Sequence, residues 1–157
     1  MVVGPDGIVI ATLEGGSDMK FALATLSLIT LVGGASYVRG FDRPEAAAES
    51  AAQAWLVLVD AGNYSASWST ASSFFRQRVS QSQWQAAAGN ARAPLGALKS
   101  RQIQSATYAQ SVPGAPDGQY VILKFASSFE NKASAIETIT PMMDTDGTWR
   151  VSGYYIR

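Results

Sequence analysis

Between positions 44 and 92 apolar residues recur every three or four places, and from 97 onward they recur every second place. The first pattern predicts helices and the second predicts strands. Asp42-Arg43-Pro44-Glu45 reads as a helix start: Asp42 caps, Pro44 suits the first turn, and Glu45 holds the place of a capping-box carboxylate. The predicted helix runs to Ala61, with Gly62 as its stop and Asn63 beyond. Its buried face is Ala48, Ala52, Trp55, Leu56 and Val59, widened by Val57 and Leu58. Tyr64 to Thr70 predicts a short second helix that buries Tyr64 and Trp68, and Phe74 and Phe75 continue the apolar material. Ser80-Gln81-Ser82-Gln83 is a capping box, and Val79 and Trp84 hold the places of a hydrophobic staple. The third predicted helix covers Gln81 to about Ala91, turns Trp84, Ala87, Ala88 and Ala91 inward, and stops at Pro94.

Four extended runs follow: Leu98–Gln110, Gln119–Phe129, Ala133–Met143 and Thr148–Ile156. Turn residues separate them, with Pro113-Gly114-Ala115-Pro116-Asp117-Gly118 in the first gap and Asp144-Thr145-Asp146-Gly147 in the last. Short connections between consecutive strands mean antiparallel hairpins. Three helices followed by a four-stranded antiparallel meander predict an α+β fold, with helices on one face of a curved sheet and Trp55, Trp68 and Trp84 filling the space between layers.

The N-terminal residues do not share either pattern. Met19-Lys20 precedes an apolar run from Phe21 to Val32 and then Gly33-Gly34-Ala35, the layout of an export signal cleaved after Ala35. The run is short for a membrane span of roughly 20 residues, but residues 21–38 together offer an anchor as the alternative. Residues 1–18 fit no signal and are read as a leader upstream of a start at Met19. The predicted organisation is leader 1–18, signal 19–35, linker 36–43 and one α+β domain, 44–157. The expected location is the periplasm or the cell exterior, with the inner membrane as the alternative.

Composition narrows the chemistry. Of 157 residues, 47% are hydrophobic and 15% charged, enough to build a packed core. Lysine plus arginine balances aspartate plus glutamate at 12 each, so no bulk charge recruits nucleic acid. There is no cysteine and no histidine, so thiolate chemistry and the commonest general base and metal ligand are excluded. Neither a metal nor a cofactor is expected, since no phosphate loop, dinucleotide glycine pattern, nucleophile elbow or zinc spacing occurs.

The order of several short pieces resembles a bacterial family, domain-of-unknown-function family 4019. They are Ala54-Trp55-Leu56, Leu58-Val59-Asp60-Ala61-Gly62-Asn63-Tyr64, Ser67-Trp68, Arg92-Ala93-Pro94-Leu95-Gly96, Lys99-Ser100-Arg101, Pro113 to Tyr120, Phe129-Glu130-Asn131-Lys132 and Gly147 to Tyr155. The resemblance implies no activity. It implies a layout like the nuclear-transport-factor-2-like or cystatin-like fold, which hosts isomerases, dehydratases and non-catalytic binding modules, so fold alone decides nothing about function.

Glu137 is the one candidate catalytic residue. In Ala135-Ile136-Glu137-Thr138-Ile139 it sits among apolar neighbours, where a desolvated carboxylate can abstract a proton. The simpler reading is a cross-strand ion pair: with the hairpin centred on Asn131, Lys124 or a neighbour falls nearly opposite. Lys99 and Arg101, two apart, are expected on one strand face, with a grip on a carboxylate or phosphate as one reading and a solvated face as the simpler one. Arg150 is read as an edge or pairing residue, Asp144 and Asp146 as turn residues with no following carboxylate to complete a calcium loop, and Asp60 with Asn63 as helix-end capping. Tyr154 and Tyr155 put one ring on each side of the sheet.

These readings lead to an exported, non-catalytic domain that binds a partner protein or an apolar small molecule. The candidate ligand-binding residues are Trp55, Tyr64, Trp68, Phe125 and Tyr155. The rival is a small acid–base enzyme with Glu137 as base and a tyrosine as donor, which requires Glu137 to face a cavity. A third reading is a homodimer paired through sheet faces.

Overall fold

The computed structural model describes Val2–Gly4, Gly7–Val9 and residues 43–157. The proposed signal and nearly all of the linker lie outside the described residues, as does most of the proposed leader. Strands β1 (Val2–Gly4) and β2 (Gly7–Val9) pair antiparallel, Val2 opposite Val9. No helix among the described residues is long and apolar enough to cross a membrane.

Helix α1 spans Pro44–Asp60 and buries Ala48, Ala52, Trp55, Leu56 and Val59 as its periodicity predicts, but that face is not widened as expected: Val57 is exposed and Leu58 half-buried. Its N-cap is Arg43, with no side-chain cap, so Glu45 closes no capping box. Asp42 lies outside the described residues. The helix ends in a Schellman motif: Gly62 adopts φ +71, its N–H donates to Val59 O, and the Asn63 N–H donates to Leu58 O. Asn63 then caps helix α2, Tyr64–Thr70, by accepting from the Ala66 N–H.

A helix not predicted from the sequence follows. Helix α3, Ser73–Arg78, is capped by the Ser72 hydroxyl, which accepts from the Phe75 N–H. Six residues are too few to show a 3.6-residue period, and the Ser72 cap was its only local signal. Helix α4, Gln81–Arg92, carries the predicted capping box with both reciprocal bonds formed. A 3-10 turn, Ala93–Leu95, leads out through Gly96.

Strands β3 (Leu98–Ala109), β4 (Tyr120–Phe129), β5 (Ala135–Met143) and β6 (Trp149–Ile156) form one antiparallel meander in that order. Each boundary lies within two residues of the run read from the sequence. Strand β3 carries two irregularities against β4, leaving Lys99 and Gln104 as extra residues. Pro141, which donates no ladder bond, sits where β5 meets a register shift in β6. The Ser152 hydroxyl supports the same spot by donating to Thr140 O at 2.7 Å.

The helices cover one sheet face. Val121, Leu123, Phe125, Phe129, Ile139, Tyr154 and Ile156 point inward and meet Trp55, Leu56, Val59, Phe75 and Trp84. Buried indoles need acceptors, and Ser67 on α2 supplies two of them. Trp55 Nε1 donates to Ser67 O at 2.7 Å and Trp84 Nε1 to Ser67 Oγ at 2.9 Å. The Trp55 and Trp84 rings lie 5.4 Å apart, with Tyr154 at 5.6 Å from Trp55. A smaller cluster of Val112, Tyr120 and Met142, with Phe74 against it, closes one end of the domain.

Candidate functional site

Asp60 is the last residue of α1, Arg92 the last of α4, Arg101 lies early in β3, and Glu137 lies early in β5. The meander places Glu137 opposite Phe125 on β4 and Ile156 on β6, on the face beneath the helices. There the four charges close into an alternating ring. Asp60 bonds Arg92, Arg92 bonds Glu137 at 3.0 Å, Glu137 bonds Arg101, and Arg101 returns to Asp60.

The contacts are paired and directional. Arg101 donates to Glu137 through Nε at 2.7 Å and Nη2 at 3.0 Å. The same guanidinium donates to Asp60 through Nη1 at 2.7 Å and Nη2 at 2.9 Å. Tyr154 OH donates to Glu137 Oε1 at 2.7 Å and accepts from Arg92 Nη1 at 3.1 Å. The Ser127 hydroxyl donates to Glu137 Oε2. Phe129 underlies Arg92, its ring centre 4.5 Å from the guanidinium carbon.

Burial makes these bonds matter. Glu137 is 0% exposed, Arg92 is buried, and Asp60 forms the solvent-facing rim. An ion taken this far from water is stable only if paired and fully bonded. Among the described residues no buried side-chain nitrogen or oxygen lacks a partner. Burial alone would lower the Arg92 pKa; the Tyr154 oxygen, which accepts from its guanidinium, then Glu137 and Asp60, outweigh it and hold the group above its ordinary value. Arg101 is likewise raised against burial, by its bonds to Asp60 and Glu137. Tyr154 is pushed far above an ordinary phenol, first by burial and then by the charge of Glu137.

Several sequence readings are corrected by this geometry. The hairpin is centred on Asn131 as expected, but Lys124 faces Thr138 on the other side of the sheet and is exposed; the partners of Glu137 are Arg92 and Arg101. The extra residue at Lys99 breaks the two-residue spacing, so Lys99 is exposed while Arg101 turns under α1. Asp60 caps nothing and serves the two arginines. Its placement was the available signal: a carboxylate at a helix C-terminus opposes the macrodipole and needs a partner elsewhere. Arg92 and Ser127 carried no signal of their own, because their role depends on the docking of distant elements.

The aromatic candidates do not converge. Trp55 and Phe125 are core residues, and Tyr64 and Trp68 pack half-buried against that core. Trp68 Nε1 donates to Val79 O. Tyr155 lies opposite Thr138, on the uncovered sheet face.

A second polar constellation lies at the β5–β6 hairpin. Asp144 accepts from the Ser73 N–H at 2.8 Å, from the Ser73 hydroxyl and from the Thr145 N–H, and stands 3.4 Å from Arg150. Arg150 grips Asp146 with two bonds of 2.7 Å. Burial would raise the Asp144 pKa; the Ser73 and Thr145 bonds and Arg150 outweigh it and depress the value. These residues, with Ser69, Thr70 and Arg76, line an open polar pocket of about 420 Å³. Among the described residues no group of three or more carboxylates or other ligands is placed to hold a metal ion.

Comparison with curated proteins and with solved structures finds no match. One family model does match, over residues 51–154, and that span runs from the middle of α1 to β6 and includes all four members of the ring. The chain belongs to the family described as protein of unknown function, DUF4019.

Proposed function

We propose that this domain is a non-catalytic binding module of the bacterial cell envelope, exported by residues 19–35 and built on a nuclear-transport-factor-2-like or cystatin-like scaffold. One observation carries the reading: Glu137, the sole acid–base candidate in the sequence, is fully buried, and its two oxygens together accept five hydrogen bonds. A general base needs a free lone pair within reach of a substrate proton. Glu137 instead clamps α4 and β3 to β5. A protein partner suits the module better than an apolar small molecule, because the aromatic side chains are spent on the core or stand on different sides of it.

The test uses the full chain in cells. Fractionation is expected to place it in the envelope, trimmed after Ala35. A photoreactive residue at exposed Gln53, Arg78 or Lys124 is expected to give a discrete adduct with another envelope protein from at least one of these sides. An untrimmed cytosolic product, or no adduct from any position, overturns the reading.

A further inference from the structure

We infer that the free edge of β3 is the seat of a second copy of this chain, the two β3 strands pairing antiparallel to make one continuous eight-stranded sheet. The sheet order begins at β3, and among the described strands only β4 pairs with it. From Gln102 to Thr107 every residue of β3 is exposed, on both faces. A free edge presents unpaired backbone donors and acceptors, and proteins usually guard such an edge with charge or proline. Here Gln102-Ile103-Gln104-Ser105-Ala106-Thr107-Tyr108-Ala109 contains neither. The bulge at Gln104 is the one guard, and regular pairing resumes on each side of it.

Two further observations select a strand backed by a helix as the occupant. Among the described residues the exposed large hydrophobic side chains are Val57, 65% exposed, and Ile103, 42% exposed. Both border the same seam. Val57 lies one turn before Asp60 on α1, and Ile103 lies two residues beyond Arg101 on the same strand face, while Asp60 and Arg101 bond each other. An added strand that continues the sheet covers both. The outer sheet face makes the poorer seat: Ile122, Ala126, Ile136, Thr138 and Tyr155 are already half-buried there, Lys124 among them is charged and exposed, and the face presents no exposed large hydrophobic side chain.

Charge selects a copy of the chain. Place the two-fold axis on any residue from Gln102 to Thr107: Lys99 and Arg101 then fall opposite residues between 103 and 115, and none of these is charged. Self-pairing therefore meets no like charge in any of these registers. The two-fold puts both α1 helices on one side of the joint sheet, where each flanks the seam. Eight residues at about 3.4 Å each, with a sheet-plus-helix depth of about 20 Å, bury roughly 1,000 Å² in total, close to the lower bound for a specific interface. The assembly closes at two copies, since pairing consumes both β3 edges. The β6 edge is occupied in part by the α2–α3 junction, where the Ser72 N–H donates to Val151 O.

Sedimentation velocity of the purified full chain, from about 1 to 300 μM, tests this. The expected result is a concentration-dependent shift from monomer to dimer, with slowed amide exchange over residues 102–109 as dimer forms. Ile103→Lys and Ala106→Lys are each expected to keep the far-ultraviolet circular dichroism and remove the shift, while Thr138→Lys on the outer face leaves it intact. A chain that stays monomeric throughout overturns the proposal. So does a dimer that survives both edge variants, or one lost with Thr138→Lys. If either edge variant fails to fold, the exchange measurement on the unaltered chain decides, and unchanged protection at 102–109 across the range is the overturning result.

Discussion

Arg101 holds Glu137 through two N–H groups, at 2.7 and 3.0 Å, from a strand whose central residues are otherwise open to water. The bond is the point where the exposed edge of the sheet is tied to its most buried charge. Removing one partner of such a pair leaves the other uncompensated in a dry site, at a cost of about 3–5 kcal/mol. Arg101→Met is therefore expected to lower unfolding stability by that amount in urea titrations. Arg101→Lys recovers only part, since an ammonium cannot reproduce the two-edged grip on Glu137 and Asp60. A loss below about 1 kcal/mol for Arg101→Met contradicts the ring's structural role.

Tyr154 gives a second handle. Tyr154→Phe deletes one bond given and one received in the core, and is expected to cost about 1–3 kcal/mol. It also changes the alkaline response. The folded pKa of Tyr154 is raised by burial and by Glu137. The stability it contributes is present below the ordinary phenol value near 10 and is lost as pH rises beyond it. Stability measured between pH 9 and 11.5 should fall more steeply for the unaltered chain than for Tyr154→Phe, by up to about 1.4 kcal/mol per pH unit. Equal slopes contradict the assignment.

Asp144 governs the acid side. Its folded pKa is depressed, so its contribution is present above the ordinary carboxylate value near 4 and is lost as pH falls through the folded value. Asp144→Asn is expected to cost about 1.5–3 kcal/mol at pH 7 and to flatten the decline of stability below pH 4. The check is a series of thermal melts from pH 7 to 2. An Asn variant that declines as steeply as the unaltered chain rules out Asp144 as the source.

Gly96 and Gly62 make a matched pair. Both adopt positive φ, +72 and +71. At Gly62 an added Cβ meets open space, whereas at Gly96 it lands 2.8 Å from Glu130 Cβ. Gly62→Ala is expected to cost about 1 kcal/mol, the conformational penalty alone. Gly96→Ala is expected to cost distinctly more, because the 129–132 turn must move. Equal midpoints in denaturant would show that the turn yields freely.

Local chemistry made most of the fold legible. The Ser80–Gln83 capping box, the Gly62 stop and the period-two runs each state their element within a few residues of sequence. The meander followed because short turns leave consecutive strands no other neighbour. Helix α3 escaped because six residues show no period. The ring was half visible: Glu137 stood out as a charge among apolar residues, but its partners sit on elements whose approach no local pattern encodes. The extra residues at Lys99 and Gln104 shift which β3 side chains face inward, and a strict alternation cannot anticipate them.

The ring joins residues 32 to 45 positions apart in the chain. No single element forms any of it alone: Asp60 and Arg92 meet where α1 and α4 approach, and Glu137 and Arg101 where β5 and β3 share the sheet. Contacts spread over four elements are expected to form late, with φ-values near zero. Damage to the ring should therefore leave the refolding rate nearly unchanged and accelerate unfolding, so these four charges set how long a folded molecule lasts rather than how fast it is made.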